Sequence, residues 1–266
     1  MTTLIKKRRC VMKLYAFSSG ILKSTKDKFT LAKGIGEPFD IPVPYYFLEV
    51  DGAKLLIDAG ISPGCVDDPE KTWGDIVNVY YPVMKEEEKP VNALESIGVK
   101  PDDVDYIIVT HLHLDHAGSL RYFPKAKVIV QLEELRYAFF PDPIMKGAYI
   151  DEDIKDSSIN YMPIVGMRSM FNGKVFIFPT PGHTPGHQSV LIRLEKHKPV
   201  IITGDAIYLR ENLEDDVPPG FAIDFAKTLY GYSMIKQLAE DEGAEIWYGH
   251  DPESFSEIKL APHYYE

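Results

Sequence analysis

Three histidines and an aspartate lie within six residues of one another in the segment Thr110–His116, which reads THLHLDH. The apolar run Ile107–Val109 precedes it, so we expect a loop at the carboxyl end of a buried strand, where α/β sheets place ligands. One buried histidine is usually a satisfied core residue, but three rings this close would each need a buried partner of their own. Neutral imidazoles can instead bind one cation together, so the segment predicts a metal site. Its candidate ligands are His111, His113, Asp115 and His116.

Three further candidates follow apolar runs later in the chain, namely His183, Asp205 and His250. Each comes directly after a glycine, which permits tight turns and a close approach of the backbone. With the first segment they give five histidines and two aspartates on loops at strand ends. This set is large enough to hold two divalent ions that share one carboxylate.

The elements that must position these residues are short β-type runs with helical patterns between some of them. Val, Ile, Tyr and Phe dominate the runs, which predicts strands at 12–17, 44–50, 53–58, 105–110, 126–131, 174–178, 189–194, 199–203 and 245–248. Helices are predicted at 86–97, at 132–139 and from Asp224, as the N-cap, to a stop at Gly243. Hairpin-like pairs together with helical connections predict mixed sheets covered by helices.

Composition and charge exclude several classes of protein. Of the 266 residues 45% are hydrophobic and 26% charged, which is typical of a globular chain. The balance of 29 basic and 40 acidic residues gives a net charge of −11, which argues against nucleic acid or an anionic membrane as partner. No apolar run approaches the roughly 18 residues that a membrane-spanning helix needs. Two cysteines exclude a disulfide scaffold and favour a reducing compartment, so we expect a cytoplasmic protein.

The chain shows no internal repeat and no low-complexity linker, so residues 1–266 are predicted to form a single domain. Its first residues are basic, and the pair Arg8-Arg9 faintly resembles an export signal. The apolar stretch that follows is short, however, and Ser18 interrupts it. We therefore interpret residues 1–11 as a flexible basic tail before the first strand.

The pattern His-x-His-x-Asp-His, followed by Gly-His, Asp and Gly-His, resembles the metallo-β-lactamase superfamily from residue 12 to the end of the chain. The resemblance implies an α/β (α+β) fold, a four-layer αβ/βα sandwich of two mixed β-sheets flanked by helices. It implies that one ion is bound by His111, His113 and His183. The second ion would be bound by Asp115, His116 and His250, with Asp205 as the bridge. Zinc is the first expectation for both ions, and iron, cobalt or manganese suit the same ligands.

Within that superfamily the chain is similar to the N-acyl homoserine lactonases. The similarity lies in the Asp-x-x-Tyr segment 205–208 and in the segments 180–189 and 249–251. It implies a hydrolase that opens the lactone ring of N-acyl homoserine lactones, an activity known as quorum quenching. His187 lies four residues after the ligand position His183, and we interpret it as a residue that supports the site or packs within its loop.

The chemistry expected of such a site needs two groups besides the metals. Two cations about 3.5 to 4 Å apart lower the pKa of a shared water, which gives a bridging hydroxide that can attack a lactone carbonyl. Asp115 would be both a ligand and the acid that gives a proton to the departing alkoxide. The phenol of Tyr208, three residues after Asp205, would donate a hydrogen bond to the developing oxyanion.

Two long stretches, 59–85 and 140–173, are rich in aromatic residues and Met, which is typical of lids or binding walls. Alternatively, these two stretches cover an edge of the core or form a contact between two copies of the chain. We expect the protein to be a homodimer. The substrate contacts expected on the first loop and the first of these stretches are Ile21, Leu22, Tyr80, Tyr81 and Met84. Segment 23–28, which is rich in Lys, replaces the apolar wall of many lactonases, so the preferred acyl chain stays open.

Two alternative hypotheses for the function remain. In the first, the same metal site acts on thioesters, as in glyoxalase II, or on phosphate and organophosphate esters. In the second, the protein is a non-enzymatic relative that only sequesters metal, and the complete ligand set argues against this. An acyl tail needs an apolar groove, whereas a phosphate or a glutathione conjugate needs Arg or Lys near the metals.

Overall fold

Twelve strands form two sheets in the computed structural model, which describes residues 11–266. The strands are β1 (Lys13–Thr25), β2 (Pro38–Val50), β3 (Ala53–Ile57), β4 (Tyr81–Val83), β5 (Tyr106–Ile108), β6 (Lys127–Gln131), β7 (Asn160–Ile164), β8 (Arg168–Met170), β9 (Val175–Pro179), β10 (Gln188–Ile192), β11 (Val200–Ile202) and β12 (Glu245–Trp247). The α-helices are α1 (Pro69–Trp73), α2 (Pro90–Glu95), α3 (Leu132–Phe139), α4 (Asp151–Ile154), α5 (Arg210–Glu214), α6 (Phe225–Glu242) and α7 (Pro252–Glu257). Apart from Val11, the predicted basic tail 1–11 lies outside the described residues.

Both sheets are mixed, as the resemblance implied. The first has the order β4-β1-β2-β3-β5-β6-β7, in which β3, β5, β6 and β7 run parallel. The second has the order β12-β11-β10-β9-β8, and only β11 and β12 are parallel. Parallel neighbours end at the same edge of a sheet, so the loops after β5 and β6, and those after β11 and β12, come together.

The side chains divide into the layers of a four-layer sandwich. Alternate residues of both sheets, such as Leu48 and Val190, form the core between the sheets. The other face of the first sheet packs against α2, α3 and α4, with Leu94 among the fully buried residues. The outer face of the second sheet packs against α6 through Tyr232 and Ile235. The expected αβ/βα architecture is confirmed.

Local sequence signals placed most elements, and the exceptions have physical causes. Helix α6 begins after the N-cap Asp224, which accepts a hydrogen bond from Lys227 N–H, and it ends at Gly243 in the left-handed conformation. The helix predicted at 86–97 is interrupted, because Pro90 cannot continue a helix and instead begins α2. Strands β4, β7 and β8 and helices α1, α4, α5 and α7 lie outside the predicted elements. Each is short and partly exposed, so it carries too few residues for a clear periodic pattern.

Among the described residues, no helix combines the length and the apolar character that crossing a membrane would require.

Candidate metal centre

The predicted ligands meet where loops from both sheets converge. The loop after β5 carries the first segment, and the loops after β9, β11 and β12 carry His183, Asp205 and His250. The two sheets are joined at this edge, because Gln188 N–H donates a hydrogen bond to the carbonyl of Thr110 at 2.9 Å. The site is therefore built by the rims of both sheets.

Asp205 lies between two clusters of ligand atoms. Its Oδ2 is 3.6 Å from His111 Nε2 and 3.3 Å from His183 Nε2. Its Oδ1 is 3.0 Å from Nε2 of both His116 and His250. One carboxylate thus faces each cluster with a different oxygen, which is the arrangement of a bridging ligand.

Two more side chains complete the clusters. His113 Nδ1 lies 2.9 Å from His183 Nε2 and so belongs to the first cluster. Asp115 Oδ2 lies 3.6 Å from Nε2 of His116 and of His250 and so belongs to the second. The structure brings together all seven residues that the sequence pointed to as ligands. They form the groups His111, His113, His183 and Asp205, and Asp115, His116 and His250.

The outer ring nitrogens of His250 and His183 are held by hydrogen bonds. His250 Nδ1–H donates to the carbonyl of Pro42 at 2.8 Å, and His183 Nδ1–H donates to the carbonyl of Phe221 at 3.3 Å. Such partners fix both the tautomer and the direction of the ring. The lone pair of Nε2 in each ring is therefore left to face the centre of the site.

The centre fits a pair of cations. Several buried polar atoms have no hydrogen-bond partner among the described residues, including His111 Nε2, His116 Nε2 and Asp205 Oδ1. Buried polar groups are nearly always paired, so lone pairs that converge without a donor call for a cation. Imidazole nitrogen with carboxylate oxygen is a donor set that suits zinc, iron, cobalt or manganese.

Burial and neighbouring charges set the protonation of the site. Burial lowers the pKa of His111 and of His113, and adjacent histidines lower it further. Burial also opposes charge on His116, but the carboxylates of Asp205 and Asp115 outweigh it and raise the pKa of this ring. The surrounding histidines likewise overcome burial at Asp205 and hold its pKa well below the usual value. The first cluster therefore presents neutral rings and an ionised carboxylate, the forms that bind a cation.

Two glycines allow the ligand loops to approach one another. Gly204 has a φ of +53°, and a Cβ there would lie 2.8 Å from side-chain atoms of Thr110. A Cβ on Gly249 would lie 2.5 Å from the carbonyl oxygen of Gly204. A larger residue at Gly249 would have to move backbone, and one at Gly204 would have to adopt a left-handed conformation and displace the buried Thr110 side chain, so both positions before the ligands favour glycine.

Tyr208 is buried beside the ligands, as expected of an oxyanion donor. Its hydroxyl oxygen lies 3.3 Å from His183 Nδ1. Because that nitrogen carries the proton donated to Phe221, the Tyr208 oxygen is an acceptor there, and its own proton remains available. Burial first, and then the charge of Asp205, raise the pKa of the phenol well above its usual value. The phenol therefore keeps its proton and can donate it in a hydrogen bond.

A cavity opens at the metal ligands, and its remaining wall is largely apolar. Asp115, Asp205 and Tyr208 form part of its floor. The apolar residues of the wall are Leu22, Phe29, Ile41, Ile76, Val79, Leu114, Ile144, Met145, Ala148 and Phe221, and the aromatic ring of Tyr80 lies beside them. The stretches 59–85 and 140–173 thus supply cavity wall, although they also contain α1, β4, α4, β7 and β8.

The structure places two of the five predicted substrate contacts in the cavity wall and three outside it. Leu22 and Tyr80 line the cavity, but Ile21, Tyr81 and Met84 are not among its lining residues. Successive residues of a strand point to opposite faces, and the register of β1 with β4 pairs Leu22 with Pro82 on the buried face. Ile21 and Tyr81 belong to the opposite face, and Met84 is buried in the core.

Sequence reasoning missed two buried carboxylates that support the ligands. Asp58 directly follows β3 and accepts a hydrogen bond from His116 Nδ1–H at 2.8 Å. The sequence could have indicated Asp58, because this residue ends an apolar run in the same way as Asp205 does. Glu134 lies in α3, where nothing in the sequence distinguishes it from the exposed Glu133. His187 is placed in neither cluster, and its Nδ1–H bonds Thr180 Oγ1 at 2.8 Å.

Comparison with known proteins agrees with this geometry. The model of the metallo-β-lactamase superfamily matches residues 39–250. The N-acyl homoserine lactonase AttM of Rhizobium radiobacter is 35% identical over 259 residues, which cover 96% of this chain and 98% of that protein. The N-acyl homoserine lactonase AiiA of Bacillus thuringiensis subsp. kurstaki is 34% identical over 256 residues, which cover 96% and 99%.

Solved structures give the same result. A structure of an N-acyl homoserine lactone hydrolase with the product N-hexanoyl-L-homoserine bound at its catalytic metal centre superposes with a TM-score of 0.87. It is 34% identical and covers 96% of this chain and 99% of that one. The chain therefore belongs to the metallo-β-lactamase superfamily and, within it, to the family of the N-acyl homoserine lactonases.

Proposed function

We propose that this protein opens the lactone ring of N-acyl homoserine lactones and thereby quenches quorum sensing. The observation that carries the proposal is the bridging position of Asp205 at the floor of an apolar cavity. A site for two cations beside an apolar wall suits a substrate with a hydrolysable carbonyl head and an aliphatic tail. Lactonases related over nearly the whole chain support the same conclusion.

The cavity wall favours an acyl tail over the alternative substrates. No Lys or Arg is among the described residues that line it, so the wall offers no cation to a phosphate ester or to the carboxylates of glutathione. Arg121 lies elsewhere, 3.8 Å from Asp153. Burial of the tail contributes about 0.8 kcal/mol per methylene, so longer tails bind more tightly until the cavity is filled.

The residues of the chain supply orientation and proton transfer. Two divalent cations, when bound, supply a nucleophilic hydroxide at neutral pH and polarise the substrate carbonyl. His111, His113 and His183 would hold the first and Asp115, His116 and His250 the second, with Asp205 shared. Tyr208 donates a hydrogen bond to the oxyanion that develops on the carbonyl oxygen. Asp115, which lines the cavity, accepts the proton of the hydroxyl group added to the carbonyl carbon and passes it to the departing alkoxide, so that ring opening releases a neutral hydroxyl and a carboxylate.

Each turnover on a lactone releases a carboxylic acid, so the reaction can be followed as acidification of a weakly buffered solution. N-Butanoyl-, hexanoyl-, octanoyl- and decanoyl-homoserine lactones should all be opened, with KM falling as the tail grows. S-Lactoylglutathione, paraoxon, bis-nitrophenyl phosphate and a β-lactam test the alternatives under the same conditions. Faster turnover of any of these than of every acyl homoserine lactone would overturn the proposal and leave the fold and the site in place.

We propose two ions per chain, with zinc as the native metal. The seven ligands and their unpaired lone pairs support two ions, and the nitrogen-rich first cluster suits zinc. Elemental analysis of the dialysed protein tests both points. A molar ratio well below one metal per chain would contradict the dinuclear site, and a ratio of two with another metal would contradict zinc alone.

We propose that the protein is a cytoplasmic homodimer. Large apolar side chains such as Phe140, Val165 and Tyr230 are 72 to 88% exposed, which supports burial of part of this surface against a second copy. The buried free thiol of Cys65 supports a reducing compartment. Light scattering that gives the mass of one chain at micromolar concentration would refute the dimer, and cell fractionation tests the compartment.

A further inference from the structure

Glu134 is a fully buried carboxylate in the first turn of α3, and the hydrolytic mechanism does not use it. Its Oε1 accepts a hydrogen bond from Leu112 N–H at 3.0 Å and from Tyr149 O–H at 3.3 Å. Its Oε2 accepts a hydrogen bond from Thr184 Oγ1–H at 2.6 Å. The three donors are a backbone N–H and two hydroxyls, all of them neutral. None of these hydrogen bonds therefore pairs the buried carboxylate with a positive charge.

Two of these donors, Leu112 and Thr184, belong to the two loops that carry the first cluster. Leu112 lies between His111 and His113, and Thr184 directly follows His183. Each oxygen of the Glu134 carboxylate therefore accepts a hydrogen bond from one of the two loops. The two loops bring His113 Nδ1 to 2.9 Å from His183 Nε2, the separation at which both can contact one cation.

The second loop also packs tightly on the backbone of α3. A Cβ on Gly186 would lie 2.0 Å from the backbone nitrogen of Glu134, so only glycine permits this contact. Tyr149, which precedes α4 and whose hydroxyl donates to Glu134, packs its ring edge-on against the ring of His113 on the first loop, with centroids 4.7 Å apart. Glu134 thus contacts the surroundings of both histidines directly or through one side chain.

We propose that Glu134 is a positioning residue that fastens the two loops to each other and thereby sets the affinity of the first cluster for its cation. A buried carboxylate is costly unless its hydrogen bonds are complete, and here they are completed by the loops that need to be fixed. Outer partners of metal ligands typically affect metal affinity by 10- to 100-fold. The proposal concerns metal binding and does not depend on which substrate the enzyme hydrolyses.

The test compares Glu134→Ala and Glu134→Gln with Glu133→Gln, a control that removes the same charge from the exposed neighbouring residue. Zinc affinity is measured on the full chain by competition with a chelator, together with the melting temperature of the metal-free and zinc-loaded forms. We expect Glu134→Ala to weaken zinc binding by about 10- to 100-fold. Glu134→Gln should restore part of this loss, because its amide can accept from Leu112 N–H and donate to Thr184 Oγ1.

The melting temperatures separate positioning from packing. If Glu134 sets metal affinity, the stabilisation that zinc confers shrinks in Glu134→Ala, because the stabilisation by a ligand rises with the logarithm of its affinity for the folded state. Equal losses in the metal-free and zinc-loaded forms, with unchanged zinc affinity, would overturn the proposal. Should Glu134→Ala not fold, Thr184→Val removes one of the two loop contacts. Unchanged zinc affinity in that variant would likewise overturn the proposal.

Discussion

Asp58 accepts a hydrogen bond from His116 Nδ1–H, with the two atoms 2.8 Å apart, and both side chains are buried. The same oxygen of Asp58 accepts a second hydrogen bond, from Thr110 Oγ1–H at 3.0 Å. The Thr110 oxygen lies 3.1 Å from His111 Nδ1 and accepts the proton of that ring. One carboxylate therefore orients one histidine of each cluster and couples the geometry of the two sites.

Replacement of Asp58 should weaken metal binding at both sites. In Asp58→Ala the rings of His116 and His111 lose their fixed tautomers, and metal affinity should fall by about 10- to 100-fold. Chelator competition measures this for each ion. Asp67→Ala, at an exposed aspartate, is the matched control. Loss of only the ion bound by His116 would contradict the coupling through Thr110.

The two histidines of the loop after β9 should behave differently. His183→Ala removes a ligand and should abolish activity together with binding of the first ion. His187→Ala should keep both ions, because His187 belongs to neither cluster and bonds Thr180 instead. Metal content and lactone hydrolysis of the two variants check this directly, and the reverse pattern would reassign the ligand.

Tyr208→Phe should lower kcat and leave the metals in place. The variant removes one hydrogen-bond donor and keeps the ring, and the loss of such a donor costs on the order of 10²- to 10³-fold in rate. Steady-state kinetics and metal analysis of one preparation measure both quantities. Loss of metal from Tyr208→Phe would show that the phenol supports the ligands, since its oxygen also lies 3.3 Å from His183 Nδ1.

Ile144 should help to select long acyl tails. It lines the cavity and is 85% exposed, so a bound tail can cover it, and its replacement does not disturb the core. Ile144→Ser should raise KM for the decanoyl substrate by up to about tenfold, equivalent to roughly 1.4 kcal/mol of apolar contact, with less effect on the butanoyl substrate. Ile35→Ser, at a residue 81% exposed and away from the cavity lining, is the control. Equal effects on both substrates would place Ile144 outside the path of the tail.

Asp153 should make stability depend on pH. Burial raises its pKa from 3.8 to about 7, although a hydrogen bond from Ser62 opposes the shift. Between these two values the folded state holds a proton that the unfolded chain releases, so stability falls as pH rises from about 4 to 7 and levels off above that. Asp153→Asn keeps an acceptor for Ser62 and removes this titration.

Thermal melts of the two proteins between pH 5 and 8 test the sign. The melting temperature of Asp153→Asn should rise relative to that of the unaltered protein as the pH increases. Asp67→Asn, at an exposed aspartate that does not contribute to the pKa shift of Asp153, should show no such trend relative to the unaltered protein. A constant difference across the range would show that Asp153 does not titrate there.

The sequence by itself determined the ligands and the sheets that present them. His111, Asp205 and His250 could be identified because each follows an apolar run, and parallel strands end at a common edge whatever the details of packing. Helix α6 was equally readable, since its N-cap Asp224 and its stop at Gly243 act within a few residues of the helix ends. Signals of this kind are local, or depend only on the topology of the sheet.

The tertiary structure decided which neighbours share a surface. Leu22 lines the cavity and Ile21 does not, because adjacent strand residues point to opposite faces and only the pairing of β1 with β4 fixes which face is buried. Glu134 and Glu133 look alike in the sequence, yet one is fully buried against two ligand loops and the other is exposed. Their difference arises from contacts between residues up to 50 positions apart, such as Glu134 with Thr184. Contacts at such a distance along the chain cannot be predicted from the residues that flank Glu134.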